Sequence, residues 1–249
     1  MKRLVLVALA LIALASPALA AEQTVSYKSG DETVNGFLVT PEGKGPFPAV
    51  LVIHEWWGLD DWVKDQVRAL AREGYVALAA DLYRGKVTSK QEEAHQLMMG
   101  TPRDRALRDL KAAFEYLARR PDVRKDRIGV IGWCMGGMYS LALATDEPRL
   151  AAAVAYYGAP PTDATAIAKI RAPVLGNYGA EDKGPAPEQV KAFEEALKKA
   201  GKTVDVKIYP GAGHAFANPN NPWGGYREAA AKDAWQRTVA FFAKHIKRQ

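Results

Sequence analysis

The sequence predicts an α/β fold, in which a mostly parallel central sheet carries helices on both faces. Two observations lead to this prediction. Several apolar runs, such as Ala49–His54, are continuous rather than alternating, which is typical of strands buried on both faces of a sheet. Segments with helical spacing of apolar residues separate these runs, and this alternation favours parallel strands joined by crossover helices.

The composition fits one globular domain and excludes several other classes of protein. The chain has 249 residues, of which 48% are hydrophobic and 25% charged, so it can bury a core and is neither disordered nor fibrous. A single Cys excludes an intramolecular disulfide framework, and four scattered His lack the spacing of a structural zinc site. No internal repeat or low-complexity linker divides residues 21–249, for which we expect a single domain.

The first 20 residues are predicted to be a cleaved secretory signal peptide. Lys2 and Arg3 form a short positive region, an uninterrupted apolar run covers 4–15, and Ala18-Leu19-Ala20 has the small-x-small form that a signal peptidase recognises. The alternative is an uncleaved membrane anchor, but the run is short for spanning a bilayer. We therefore expect a periplasmic or secreted protein.

The charge does not indicate a nucleic-acid or membrane partner. Removing Lys2 and Arg3 lowers the formal net charge from +6 to about +4, and the remaining cations are spread along amphipathic helices as on a solvated surface. The basic segment Lys244–Arg248 fits a helix C-terminus better than a nucleic-acid patch. We expect a small-molecule substrate, no stable membrane association after cleavage, and a monomer.

Local patterns place the individual elements. Thr24–Lys28 and Val34–Thr40 have β-branched and aromatic content and predict an antiparallel hairpin at the start of the domain. The further predicted strands are Tyr75–Ala80, Arg127–Trp133, Ala151–Tyr157, Pro173–Tyr178 and Asp205–Tyr209. The predicted helices are Asp61–Arg72, Pro102–Arg119, Gly136–Ala144, Pro187–Ala200 and Glu228–His245. Ligands of such sheets bind at the carboxyl ends of the strands, so the loops after strands are expected to hold the chemistry.

The strongest motif is a strand–turn–helix that carries the single cysteine. Gly132-Trp133-Cys134-Met135-Gly136-Gly137 is the G-x-S-x-G pattern of a nucleophile elbow, with Cys in the serine position. The flanking glycines permit close packing, and the helix N-terminus favours a thiolate. The backbone N–H of Met135 would point where an oxyanion forms. The alternative is a small buried Cys at a tight turn.

A nucleophile of this kind needs a base and an acidic residue that orients the base. Only His214 and His245 follow Cys134, and His214 is the candidate base because it lies in a glycine-rich loop directly after a predicted strand. His245 fits a cation at a helix end. The acid is expected after the strand Pro173–Tyr178, where Asp182 and the adjacent Glu181 are both candidates; either could instead be a charge at a helix N-terminus.

The loop after the first buried strand is the second candidate part of the site. In the architecture of the elbow motif this loop supplies the second oxyanion donor, here the backbone N–H of Trp56. Glu55 points toward the same region, and a carboxylate near a thiol can hold the proton of the thiol. His54 fits a packed residue at a strand end better than a base.

Five segments together resemble the dienelactone hydrolase family of the α/β-hydrolase superfamily. They cover the chain from about Gly36 to its end and occur in family order. The segments are His54–Gly58, Gly74–Tyr83, Gly132–Gly137, Gly179–Asp182 and Gly213–Phe216. The resemblance implies an α/β-hydrolase fold, a hydrolase of esters or lactones without metal or organic cofactor, and a catalytic triad of Cys134, His214 and Asp182. It also implies a resting thiol paired with Glu55.

The chain departs from the family at substrate recognition. Family members that act on dienelactone bind its carboxylate with two arginines, of which one roughly matches Arg84. The second should follow His214 by four residues, where this chain has Asn218, and Asn cannot clamp a carboxylate bidentately. Arg227 could substitute only if its loop folded back. The insert at 217–226 is expected to reshape the rim of the pocket.

Several tryptophans are candidates for an aromatic pocket, with plain packing as the alternative for each. They are Trp56, Trp57, Trp133 and Trp223.

The predicted mechanism is acyl transfer through a thioacyl intermediate. One alternative is a hydrolase of thioesters or amides, and another is a non-catalytic exported binding protein. The presence of all four candidate site residues disfavours a binding protein; these are Cys134, His214, Asp182 and Glu55. The lack of a second Cys disfavours a redox role.

Overall fold

The computed structural model describes residues 21–247, so the predicted signal peptide at 1–20 lies outside the described residues. The strands are Ala21–Ser29 (β1), Glu32–Thr40 (β2), Phe47–Ile53 (β3), Val76–Ala80 (β4), Val123–Trp133 (β5), Ala152–Tyr156 (β6), Val174–Gly179 (β7) and Val204–Tyr209 (β8). The helices are Asp61–Arg72 (α1), Gln91–Met99 (α2), Arg103–Ala118 (α3), Met135–Asp146 (α4), Ala164–Lys169 (α5), Pro187–Lys199 (α6) and Glu228–Phe242 (α7). A π-helical turn, Ala243–Lys247, follows α7.

Eight strands form one sheet in the order β1-β2-β4-β3-β5-β6-β7-β8. β1 and β2 form the predicted antiparallel hairpin, and β2 runs antiparallel to β4. All the pairs from β4 to β8 are parallel. The prediction of a mostly parallel sheet is therefore confirmed, and the carboxyl ends of the parallel strands share one edge.

The sheet separates two apolar cores, because successive side chains of a strand point to opposite faces. In β3, Leu51 and Ile53 join the core beneath α3, α4 and α6, whereas Val50 and Val52 join the core beneath α1 and α7. Helices thus cover both faces, as predicted. No helix among residues 21–247 is both long and apolar enough to cross a membrane.

Two helices were not predicted from the sequence, and both have a minimal apolar face. α2 buries one residue, Ala94, and α5 is six residues long and buries only Ile167. A helix is recognised in a sequence by apolar residues that recur every three or four positions, and one buried residue gives no such recurrence. The predicted helix Glu228–His245 is also interrupted, since α7 ends at Phe242 and the π-helical turn follows.

Candidate active site

Cys134 lies on a strained turn between β5 and α4. Its backbone has φ 54° and ψ −118°, a conformation that costs a non-glycine residue about 1–3 kcal/mol. Two hydrogen bonds hold the turn: the Cys134 amide donates to the carbonyl of Tyr156 (3.0 Å), and the Met138 amide donates to the carbonyl of Cys134 (3.1 Å). The thiol is half-buried. The strand–turn–helix geometry expected from the motif is present.

The glycines of the elbow lie where no side chain fits. A Cβ on Gly136 would be 2.2 Å from the carbonyl oxygen of Ile53, and a Cβ on Gly137 would be 2.6 Å from that of Tyr156. A Cβ on Gly132 would be 2.2 Å from the carbonyl oxygen of Gly136. The start of α4 therefore packs directly against the ends of β3 and β6, which brings the loops after these strands to Cys134.

The two predicted oxyanion donors have amides that are free to bind a ligand. Met135 is the first residue of α4, and the first amides of a helix have no partner within the helix. Within the part of the chain that the structure describes, neither the Met135 amide nor the Trp56 amide donates to a protein acceptor. The elbow packing brings the start of α4, with the Met135 amide, next to the loop after β3, with the Trp56 amide.

His214 and Asp182 are joined by a hydrogen bond. The loop after β8 carries His214, whose Nδ1 lies 2.8 Å from Oδ2 of Asp182 in the loop after β7. The other oxygen of Asp182 accepts a hydrogen bond from the Gly184 amide (2.9 Å), and the carboxylate is only 4% exposed. Glu181, the alternative acid, is exposed, and the partner of His214 Nδ1 is Asp182. The geometry thus distinguishes two neighbouring carboxylates that the sequence left open.

The charge of His214 is stabilised by its neighbours. Burial of the ring opposes its charge, but the hydrogen bond to Asp182 and the interaction with the Cys134 sulfur together raise the pKa of His214 to about 10. His214 therefore carries a proton at neutral pH, next to the sulfur. An imidazolium in this position can donate a proton to a leaving group.

Glu55 is fully enclosed and held by two neutral donors. The side chain is 2% exposed; the Tyr157 hydroxyl donates to Oε1 (3.1 Å) and the Asn218 amide donates to Oε2 (2.6 Å). Burial raises the pKa of Glu55 to about 7, although both hydrogen bonds favour the ionised form. Glu55 can therefore exchange a proton near neutral pH.

The expected pairing of Glu55 with the resting thiol is not present. No hydrogen bond joins Glu55 to Cys134 in residues 21–247. Tyr157 and Asn218 each donate to one oxygen of the carboxylate, and the sulfur interacts with His214 instead.

Tyr157 is a site residue that sequence reasoning missed. It directly follows β6, is fully buried, and has a positive φ of 39°. Its ring contacts the ring of His214 edge-on (centroids 5.2 Å apart) while its hydroxyl binds Glu55. Burial raises the pKa of Tyr157 well above 10, so the hydroxyl stays a donor. The available signal was its position at the carboxyl end of the predicted strand Ala151–Tyr157, since the carboxyl ends of parallel strands hold the site.

Arg84 and Asn218, the two predicted substrate-binding residues at the arginine positions of the family, are both engaged by other protein groups. The Arg84 guanidinium forms ion pairs with Glu32 (2.5 Å) and the buried Asp109 (2.8 Å), so it fastens its loop to α3. Asn218 is 1% exposed and donates to Glu55. A position along the sequence does not show which partner a side chain finds, and substrate binding by these two residues stays a prediction.

Arg227 does not replace the missing arginine either. Its Nε donates to the Gly211 carbonyl (2.8 Å), and a second guanidinium nitrogen donates to the Tyr226 carbonyl (3.1 Å). The loop does not fold back to present the side chain to a substrate. Because both contacts are to backbone carbonyls, Arg227 secures the two ends of the loop.

The tryptophans divide into a packed residue and a cluster. Trp133, predicted to bind substrate, is 1% exposed and packs edge-on against Trp62 in the core beneath α1 and α7. Its side chain faces the opposite side of the sheet from α4, and a role in binding substrate stays a prediction. Trp56, Trp57 and Trp223 contact one another, with ring centroids 5.0–5.4 Å apart. We call these three residues the tryptophan rim.

His54 is a structural residue, as expected. Its Nε2 accepts a hydrogen bond from the Leu82 amide (3.2 Å), and its Nδ1 lies 2.5 Å from the carbonyl oxygen of Glu55. Burial lowers the pKa of His54, so the ring is neutral and joins the ends of β3 and β4. Among residues 21–247, no three His, Cys, Asp or Glu side chains converge as metal ligands do.

Comparison with known proteins gives the family. Residues 34–246 match the model of the dienelactone hydrolase family. A relative from Methylorubrum extorquens, named "Putative carboxymethylenebutenolidase", is 34% identical over 229 residues, which cover 86% of this chain and 78% of that protein. A Bradyrhizobium relative, named "Probable 2-oxo-3-(5-oxofuran-2-ylidene)propanoate lactonase", is 31% identical over 91% of this chain and 97% of its own length.

Solved structures agree with this assignment. A Klebsiella pneumoniae structure titled "Putative Dienelactone Hydrolase" matches with a TM-score of 0.82 and 31% identity over 92% of this chain and 100% of that one. An acylaminoacyl peptidase from Pyrococcus horikoshii matches with a TM-score of 0.74 over 92% of this chain and 42% of its own, but at 16% identity it supports the fold alone. The predicted α/β-hydrolase fold is confirmed, and the chain belongs to the dienelactone hydrolase family, a family of lactone and ester hydrolases.

Proposed function

We propose that this chain is an exported hydrolase that cleaves a carboxylic ester or lactone through Cys134, His214 and Asp182. The observation that carries the proposal is the convergence of these groups: a cysteine on a strained elbow, an imidazolium beside its sulfur, and a buried carboxylate 2.8 Å from that imidazole. Membership in a family of lactone and ester hydrolases supports the reaction class.

The first half of the reaction forms a thioacyl enzyme. The sulfur of Cys134 attacks the carbonyl carbon, a C–S bond forms, and the carbonyl electron pair moves to the oxygen. The amides of Met135 and Trp56 donate to this oxyanion. When the carbonyl reforms, the C–O bond breaks and the leaving alkoxide takes the proton of His214.

The second half returns the enzyme to its starting state. Neutral His214 accepts a proton from water, whose oxygen attacks the thioester carbon. Collapse of this intermediate breaks the C–S bond, releases the acid product and restores the thiolate beside protonated His214. Asp182 keeps Nδ1 of the ring occupied, so that Nε2 is the nitrogen that handles protons in both halves.

Export and a monomeric state are part of the proposal. The positive, apolar and Ala-x-Ala segments of residues 1–20 support cleavage after Ala20. We expect the protein from the periplasmic fraction of an expressing bacterium to begin at Ala21 by mass spectrometry and to elute as a monomer. A cell-associated chain of full length would contradict export.

Replacement of either reacting group should abolish ester hydrolysis. We expect Cys134→Ser and His214→Ala each to lower kcat/KM for a short aryl ester by about 1000-fold or more, because each removes a group that acts in both halves of the reaction. The measurement is release of 4-nitrophenol, with a thermal unfolding curve to establish that each variant is folded.

A dienelactone assayed beside the ester should be the poorer substrate, since no second arginine is available for its carboxylate. If reduced, folded wild-type protein hydrolyses neither compound, the ester or lactone assignment is wrong. The remaining candidates are then the other acyl classes, thioesters and amides, and a binding role.

Loss of Asp182 should shift the pH profile toward acid. Asp182 raises the pKa of His214, so Asp182→Asn should lower that pKa, by about 1–3 units for one opposite charge at this distance. Protonated His214 is then lost at lower pH, and we expect the alkaline limb of kcat/KM to move down from about 10 by that amount. The matched control is Glu181→Gln, which alters the exposed neighbour. Equal pH profiles for wild type and Asp182→Asn would contradict the role of Asp182.

Glu55 should make stability depend on pH. Folding raises the pKa of Glu55 from 4.5 to about 7, so the stability contributed by its bound proton is complete below about pH 4.5 and is lost as pH rises through 7. Because Gln does not ionise, the Glu55→Gln variant does not lose this stability as pH rises. The difference in unfolding free energy, variant minus wild type, should therefore be up to about 3 kcal/mol more positive at pH 8 than at pH 5. Urea unfolding at both pH values measures it; an equal difference at both would contradict the raised pKa.

A further inference from the structure

The residues at which the family resemblance or the sequence would place a carboxylate-binding arginine are engaged by other protein groups. Arg84 is paired with Glu32 and Asp109, and Arg227 binds backbone carbonyls. Asn218 occupies the position of the second arginine and is buried against Glu55. A substrate carboxylate placed here would lose hydration without gaining either of these guanidinium groups as a partner, and would face Glu55 when that residue is ionised.

The tryptophan rim is an apolar aromatic surface, in contrast to the cationic site that a carboxylate would need. Trp57 is buried, Trp56 is partly buried, and Trp223 is 50% exposed although it packs on both of the others. Trp56 carries the free amide proposed for the oxyanion as well as a ring of the rim. One ring of the rim therefore belongs to the same residue as a proposed oxyanion donor, so the rim lies next to the reacting carbonyl group.

The exposed ring of Trp223 lies on a loop whose conformation is fixed by hydrogen bonds. Its amide donates to Oδ1 of Asn221 (3.3 Å), whose own Nδ2 donates to the Gly224 carbonyl (3.0 Å). The Asn221 amide donates to the carbonyl of Asn218, and a Cβ on Gly225 would be 3.4 Å from the carbonyl oxygen of His214. Hydrogen bonds thus fix a large apolar side chain in the open, next to the site.

We propose that the tryptophan rim is a substrate subsite that binds a neutral aromatic group, so that the enzyme prefers uncharged aromatic esters to esters bearing a carboxylate. This inference rests on the proposed ester hydrolysis. Aromatic rings pack edge-on against one another with a gain beyond simple burial, and the exposed half of Trp223 is the face that such a ring would cover.

The test compares three methyl esters of similar size with the mature protein. These are methyl 3-phenylpropanoate, methyl 3-cyclohexylpropanoate and monomethyl glutarate. We expect kcat/KM to be several-fold higher for the phenyl ester than for the cyclohexyl ester, and at least tenfold higher than for the glutarate ester. A preference for the glutarate ester, or equal values for phenyl and cyclohexyl, would overturn the proposal.

Two variants locate the effect at the rim. Trp223→Ala should lower kcat/KM for the phenyl ester about tenfold, mainly through KM, and should lower it clearly less for methyl acetate, because acetate does not reach the rim. Tyr226→Ala is the matched control: Tyr226 is also exposed on this loop, but it lines a separate cavity of about 510 Å³ together with Trp133. Equal effects of the two substitutions on the phenyl ester would contradict the assignment.

A ketone separates this inference from the proposed reaction. 4-Phenylbutan-2-one has the shape of the phenyl ester but cannot be hydrolysed, and ligand-observed NMR gives its Kd. Binding that weakens about tenfold in Trp223→Ala supports the subsite even if no ester is cleaved, in which case the proposed function alone is wrong. Binding that is unchanged in Trp223→Ala overturns the subsite, whatever the esters show.

Discussion

The close approach of α4 to the ends of β3 and β6 is the constraint on which the site depends. Gly136 and Gly137 lie so near to the carbonyls of Ile53 and Tyr156 that any side chain would collide with backbone. This packing holds Cys134 in its strained conformation. It also fixes the loops that follow the two strands, which carry Glu55 and Tyr157. A change at this contact would therefore displace the nucleophile, the oxyanion donors and the buried carboxylate together.

Two carboxylates in the site have opposite electrostatic roles because their surroundings differ. Asp182 receives a hydrogen bond from a backbone amide and faces an imidazolium, so it supports the charge of His214. Glu55 has only neutral donors, and burial raises its pKa to about 7. The proton affinity of Glu55 is therefore set by its burial rather than by its residue type.

Asn218 links the chemistry of the site to its rim. Its amide binds Glu55, and its backbone carbonyl receives the amide of Asn221, which in turn holds Trp223. An arginine here would have placed a positive charge against Glu55 and lowered its pKa. A neutral residue leaves Glu55 able to hold a proton and joins it to a loop that displays an aromatic side chain. One residue thus connects the proton affinity of Glu55 to the loop that carries the proposed aromatic subsite.

The elements with a clear local pattern were predictable from the sequence. The helix Asp61–Arg72 is found with its predicted bounds, and the elbow around Cys134 follows from glycine spacing, which is a local steric requirement. The loop positions of His214 and Asp182 follow from the order of strands. The three-dimensional fold was needed to separate Asp182 from Glu181, to find Tyr157, and to show that Arg84 pairs with Glu32 and Asp109. These outcomes depend on which distant groups meet a side chain when it is buried, and no pattern along the chain encodes that partner.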